Sequence, residues 1–295
     1  MAINFQPPYI QTLDISIENL PIQSIDVLRL DAIHPVVSGN KWYKLKGHID
    51  YIKTHRLEGF VTFGGAFSNH LRAAAYAAKA YGIKAHAIIR GEEFAHQPNA
   101  TLAACMAENM TLEYVSRSSY KHKADAEYLA SLQARFPNSL IIPEGGNSPL
   151  GLLGFEALRT IIADKYTHVA VSVGSGTTFL ALRQIMPASQ QLIGFVPMKN
   201  GRYLSNEFQL EATNWTLIDD YHFGGFGKKN EILLTFMHNF YQQYNIPLDV
   251  VYTAKMFYGL VAEIQQDRFS FGDKILVIHT GGLQGNSSLN SQLIY

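Results

Sequence analysis

Short apolar runs rich in β-branched and aromatic residues alternate with stretches of helical spacing along most of this chain, and glycine-rich turns follow the runs. Residues 59–63 show the unit most plainly. They form a strand pattern broken by Gly64-Gly65, then Ser68, then an alanine-rich helical pattern over 69–80 that stops at Gly82. Strand–turn–helix units repeated in this way fold into parallel sheets covered by helices on both faces, an α/β architecture of three αβα layers. In such sheets the carboxyl ends of the strands, where the glycine turns fall, are where ligands bind.

Taken in order, the pattern predicts a lead-in over 9–31 with one strand at 26–30. A helix over 45–55 and the 59–80 unit follow. Strands are expected at 83–89, 112–115, 139–142, 168–173, 191–196 and 274–279. Helices are expected at 98–109, with Pro98 in the first turn, and at 123–136, 152–166, 179–186, 230–244 and 253–266. Residues 143–151, rich in turn formers, read as a hinge. Neither an internal repeat nor a low-complexity tract is found.

Composition narrows the function. Among 295 residues, Lys plus Arg and Asp plus Glu number 24 each, so no net charge draws the chain to nucleic acid or anionic membrane. Cys105 is the only cysteine, which excludes an internal disulfide and a multi-cysteine zinc site. No apolar run is long enough to span a bilayer, and residues 1–10 lack the marks of a signal peptide. A soluble cytoplasmic protein acting on a small molecule is expected. The histidines lack HExxH-like spacing, so no metal site is expected.

Several segments carry chemistry. In Ser38-Gly39-Asn40-Lys41, with Lys44 three residues on, Lys41 is either a surface lysine or an amine that forms a Schiff base with a carbonyl cofactor; Gly39 would let a flat ring approach. Gly174-Ser175-Gly176-Thr177-Thr178 is the best phosphate site, because amides of a strand-to-helix turn converge on an anion. It suits a single phosphate. The third glycine of a dinucleotide motif would fall at Phe179, no acidic residue follows the next strand, and no P-loop lysine closes the turn. That disfavours a nicotinamide oxidoreductase. Ser68, in GGAFSNH, can cap a helix, seat a substrate carboxylate or act chemically. It lacks a nucleophile elbow. Tyr252 is a core aromatic or a site residue, and the 223–229 loop, FGGFGKK, is a lid or a plain loop.

The motifs SGNKWYKLK, GGAFSNH, IPEGGNSPLGLLGF, VGSGTT, DVVYTAK and HTGG, in that order over about residues 25–285, together resemble pyridoxal-phosphate enzymes of the tryptophan-synthase-β-like fold (fold type II). More narrowly, the chain is similar to the group of 1-aminocyclopropane-1-carboxylate deaminase and D-cysteine desulfhydrase. The resemblance implies pyridoxal 5'-phosphate as cofactor. Lys41 matches the lysine that holds it and moves the α-proton, and Lys44 a lysine near its phosphate. Ser68 matches the hydroxyl beside lysine and substrate carboxylate, and Asn69 the amide facing the ring hydroxyl. Ser175, Gly176, Thr177 and Thr178 match the phosphate loop, and Tyr252 the tyrosine against the ring.

At two positions the chain sides with the desulfhydrase. The deaminase carries a glutamate facing the pyridine nitrogen where this chain has Thr253, and a leucine where it has Thr280. A hydroxyl holds the ring nitrogen protonated less well than a carboxylate does, so the ring is a weaker electron sink. Expelling a thiolate tolerates that better than opening a cyclopropane. The expected activity is therefore α,β-elimination on D-cysteine or a similar D-amino acid. The cyclopropane deaminase and a non-catalytic binding protein are the alternatives. The family's second active-site tyrosine has Phe226 as its nearest match, with Tyr221 as a possible substitute. The resemblance further implies a homodimer, and a smaller mobile domain over 44–147 closing on a larger one built from 1–43 and 148–295.

Overall fold

The computed structural model describes residues 3–15, 22, 24–162, 165–201, 203–208, 213–289 and 292–295. Its strands are β1 (Ile10–Asp14), β2 (Ser24–Arg29), β3 (Gly59–Gly65), β4 (Lys84–Arg90), β5 (Thr111–Val115), β6 (Ser139–Ile142), β7 (His168–Ser172), β8 (Gln191–Phe195), β9 (Trp215–Ile218) and β10 (Ile275–His279). The helices are α1 (Asn40–Thr54), α2 (Asn69–Tyr81), α3 (Ala100–Ala107), α4 (Ala126–Arg135), α5 (Pro149–Leu153), α6 (Arg159–Ile162), α7 (Thr177–Ile185), α8 (Tyr203–Phe208), α9 (Glu231–Tyr244) and α10 (Thr253–Gln265).

These elements form two compact units. The first comprises Met1–Gln6 and His34–Gly154, the second Pro7–Ile33 and Phe155–Tyr295. The expected division, 44–147 against 1–43 with 148–295, differs at both ends of the first unit. Contact places Lys41 and the 148–154 segment in that unit, for a reason visible in α1.

The first unit is built on a parallel four-stranded sheet of order β5-β4-β3-β6. One face packs Leu45, Ile49 and Ile52 of α1 and the alanines of α2 onto Phe60, Ala87 and Ile89. The other face buries Val61, Phe63 and Ile88 with Leu132 of α4. Alanine suits α2 because it forms helix well and lets the backbone lie close to the sheet. As expected, Ser68 caps that helix by accepting from the Leu71 amide at 3.3 Å, and Gly82 ends it in the left-handed region at φ 67°.

Helix α1 begins at Asn40, five residues before the expected 45–55, because Gly39 turns the chain at φ 63° just ahead of it. Lys41 and Lys44 therefore stand on its first turns. Helix α5 lies across α1 with backbone touching backbone. A Cβ at Gly154 would meet the Tyr43 carbonyl oxygen at 1.8 Å, one at Gly47 the Leu150 oxygen at 2.1 Å, and one at Gly151 the Gly146 oxygen at 2.0 Å. His48 fastens the crossing. Its Nδ1–H donates to the Lys44 carbonyl at 2.7 Å, and the Ser148 hydroxyl donates to its Nε2 at 2.7 Å. The 143–151 segment, read as a hinge, thus joins Gly154 in close packing around the helix that carries the lysines, through Gly146 against Lys44 and Gly151 against His48. The expected 152–166 helix is broken into α5, a 3-10 stretch at Gly154–Leu158, and α6.

The second unit holds a six-stranded sheet of order β1-β2-β10-β7-β8-β9. All neighbours run parallel except the β1–β2 edge pair, where Ile10 opposes Leu28. Val27, Val277, Ala170 and Ile193 pack beneath Leu233, Met237, Phe257 and Leu260 of α9 and α10. Strands β1 and β9 and helix α8 were not expected from the sequence. The α/β class with parallel sheets is borne out.

Candidate functional site

In the first unit the carboxyl end of β3 opens into Ser68 and the start of α2, while α1 presents its lysines. Asn40 and Lys41 occupy the first turn of α1, and the Lys41 ammonium donates to the Asn40 side-chain oxygen at 2.6 Å. A helix N-terminus disfavours cations. Lys44 is 6 % exposed, and burial, with the Lys41 charge second, lowers its pKa to about 7. His70, buried behind it, donates from Nε2 to Thr62 at 2.9 Å, since the Thr62 hydroxyl itself donates to the Ile142 carbonyl. Burial first, then Lys44, His48 and Lys41, draw its pKa down to about 3, so its ring stays neutral.

A lysine whose pKa is lower in the folded than in the unfolded chain makes stability rise with pH between the two values, because the unfolded chain binds the extra proton there. For the cofactor-free protein, stability relative to Lys44→Met should climb from pH 7 to pH 9 by about 1 kcal/mol per unit. Below pH 7 the difference should be flat. Urea unfolding across that range checks it; a difference that stays constant to pH 9 would show that Lys44 is not desolvated.

In the second unit the end of β7 turns through Gly174-Ser175-Gly176 into α7. Gly176 sits at the helix cap with φ 79°, and the Ser175 and Thr177 hydroxyls pair at 3.1 Å. Thr177 and Thr178 are buried on the first turn, and the amides of such a helix start suit an anion. Tyr252 stands directly beside the turn: a Cβ at Gly174 would come within 3.0 Å of its ring. Burial, with Asp249 second, pushes the Tyr252 phenol well above its ordinary range, so it keeps its proton.

Asp249 organises the start of α10. Its Oδ1 accepts from the Val251 and Tyr252 amides at 2.9 and 2.8 Å, and its Oδ2 from the Thr253 amide at 2.9 Å. The Thr253 hydroxyl donates to Oδ2 at 2.9 Å and accepts from the Asp249 amide at 2.8 Å. Thr280, after β10, pairs with Ser172 at 3.2 Å between hydroxyls. Before it, His279 lies 3.3 Å from Asp31, which also binds Arg29.

The two candidates for the second tyrosine part ways. Tyr221 donates its hydroxyl to Glu263 at 2.8 Å. Phe226, 56 % exposed, sets its ring edge-on to Tyr252 with centroids 5.7 Å apart. Sequence reading missed Asp249, His70 and Lys255. Lys255 had a signal, a lone cation among Ala254, Met256 and Phe257 on a helix face that must be buried. Among the described residues no cluster could hold a metal ion, and no helix is long and apolar enough to cross a membrane.

No model of a known protein family matches the chain. Among curated proteins, a putative 1-aminocyclopropane-1-carboxylate deaminase of Pyrococcus horikoshii is 29% identical over 277 residues, covering 88% of this chain and 84% of the relative. The D-cysteine desulfhydrase of Serratia proteamaculans is 27% identical over 286 residues, covering 88% and 87%. A crystal structure of a homologue of the deaminase superposes with a TM-score of 0.76 at 26% identity, over 92% of this chain and 89% of that one. The resemblance carried by the ordered motifs is borne out over most of the chain, and with it the fold.

Proposed function

We propose that this chain is a pyridoxal-phosphate-dependent lyase that carries out α,β-elimination on D-cysteine or a similar D-amino acid, releasing pyruvate, ammonia and sulfide. Similarity to the deaminases and desulfhydrases supports the enzyme class and the cofactor. The residues present fit that cofactor. The turn into α7 offers hydroxyls and helix amides to a phosphate, Tyr252 offers a ring face beside it, and Lys41 offers the amine. Lys44, Asn69 and Thr280 complete the proposed contacts.

The choice of D-cysteine rests on one observation. Where the deaminase has a glutamate, the Thr253 hydroxyl already binds Asp249, and the Asp249 carboxylate is itself saturated by the amides of Val251, Tyr252 and Thr253. Thr280 is likewise a hydroxyl, paired with Ser172. Neither position supplies a free carboxylate, which favours a substrate whose leaving group departs readily. The bound cofactor supplies the electron sink that makes the α-proton acidic.

The chain's own side chains do the rest. Lys41 accepts the α-proton. Ser68 and the start of α2 hold the substrate carboxylate through a hydroxyl and the positive end of the helix. Tyr252, kept protonated by burial, can donate a hydrogen bond to the departing sulfur.

The test is 2-oxoacid release by cofactor-loaded protein given D-cysteine, L-cysteine and 1-aminocyclopropane-1-carboxylate side by side. Pyruvate with sulfide from D-cysteine alone is expected. A 2-oxoacid from the cyclopropane would select the deaminase reading, and a cofactor absorption band with no product from any of them would select a binding role. A homodimer is part of the proposal, and sedimentation of the loaded protein should give the mass of two chains.

A further inference from the structure

Lys255 is 2 % exposed, yet the proposed chemistry gives it no role. It sits one turn into α10, the helix that starts beside Tyr252. Its ammonium donates to the carbonyls of Gly225 at 2.8 Å, His222 at 2.9 Å and Pro197 at 3.5 Å. Those carbonyls belong to the loop that carries Phe226 and to the end of β8. Left to itself that loop is costly to hold. Phe223, Gly224, Gly225 and Gly227 lie at φ 52°, 94°, 123° and 70°, and Phe223 is no glycine. A desolvated cation aimed at backbone carbonyls is a strong fastener, and among the described residues its hydrogen bonds all go to carbonyls, with Asp249 acting on it only through its charge. Lys255 thus ties the loop to the helix that Tyr252 immediately precedes, and the loop sets Phe226 edge-on to that tyrosine.

We propose that Lys255 is a positioning residue, which fixes Phe226 against Tyr252 as an apolar wall and so sets a preference for sulfur over hydroxyl at the substrate β-carbon. The preference rests on the lyase reading above; the fastening does not. A phenyl ring offers no hydrogen bond to a hydroxyl but makes good contact with polarisable sulfur.

Lys255→Met keeps the apolar stem and removes every donated bond. Gly225→Ala leaves Lys255 intact and strains the loop at φ 123°, so it covers the case in which the first variant does not fold. Amide hydrogen exchange of the cofactor-free protein reads the fastening directly. Peptides spanning 222–229 should exchange at least about tenfold faster in either variant, while β7 and β10 keep their parent rates. Unchanged exchange in the loop, or equal acceleration in the central strands, would overturn the positioning role.

The second readout is the ratio of kcat/KM for D-cysteine to that for D-serine. Phe226→Tyr and Lys255→Met should each lower it about tenfold, and the double variant should lower it no further than either alone. Additive effects, or an unchanged ratio in Lys255→Met, would overturn the specificity role. If the parent processes neither amino acid, the lyase reading fails, while the exchange result still decides the fastening.

Discussion

Replacing Lys41 with alanine should lower turnover at least about a thousandfold, because the reaction then loses both the amine that holds the cofactor and the base that moves the proton. Lys44 will not take over. It lies three residues on in α1, 6 % exposed, beneath the crossing of α1 and α5. Borohydride reduction followed by peptide mapping should find the cofactor on the Lys41 peptide of the parent and on no lysine of the variant. Turnover within tenfold of the parent, or label on Lys44, would remove Lys41 from the assignment.

The second large effect concerns stability. Gly154→Ala should destabilise the protein by about 3 kcal/mol, because the new methyl has to displace the backbone of α1 and no flexible side chain can yield. Its own conformation is no obstacle, since Gly154 has φ -60°. Gly82→Ala is the control. That position has φ 67° with nothing within 4 Å of a Cβ, so only the left-handed backbone matters, at about 1 kcal/mol. Urea unfolding of both variants gives the comparison, and equal losses would mean that the close crossing of α1 and α5 yields more easily than its distances imply.

The two glycines also show what the sequence discloses. Gly82 was legible as a helix end because the stop signal is local, and Ser68 as a cap for the same reason. Gly154 was not, because its reason lies in Tyr43, far away in the chain, and the expected 152–166 helix broke on that contact. The early start of α1 was hidden likewise: no side chain caps it, and only the backbone of Gly39 turns the chain. Pro98 precedes α3 rather than opening it, since Asn99 caps that helix by accepting from the Leu102 amide.

Strands β3 to β8 and β10 declared themselves through short apolar runs between helical stretches. Strand β1 did not, because on an edge it carries polar Gln11, Thr12 and Asp14 and shows neither an apolar run nor a strict alternation. Within the site, residues matched by motif were legible, and the turn into α7 and Tyr252 do lie side by side. Their supports were not. Asp249 carried no local signal, and only the fold turns the amides of Val251, Tyr252 and Thr253 onto it.

The order of strands has a consequence for the chain as it leaves the ribosome. The four-stranded sheet possesses all its members once residue 142 has been made. The six-stranded sheet does not, because β10 sits between β2 and β7 and is the last strand synthesised. Until residue 279 emerges, β2 and β7 each present an unpaired inner edge, and β2 waits the longer of the two. Such edges invite pairing with other chains. The sheet of the second unit therefore closes only after residue 279 has been made, and its yield in a cell should depend on chaperones more than that of the first.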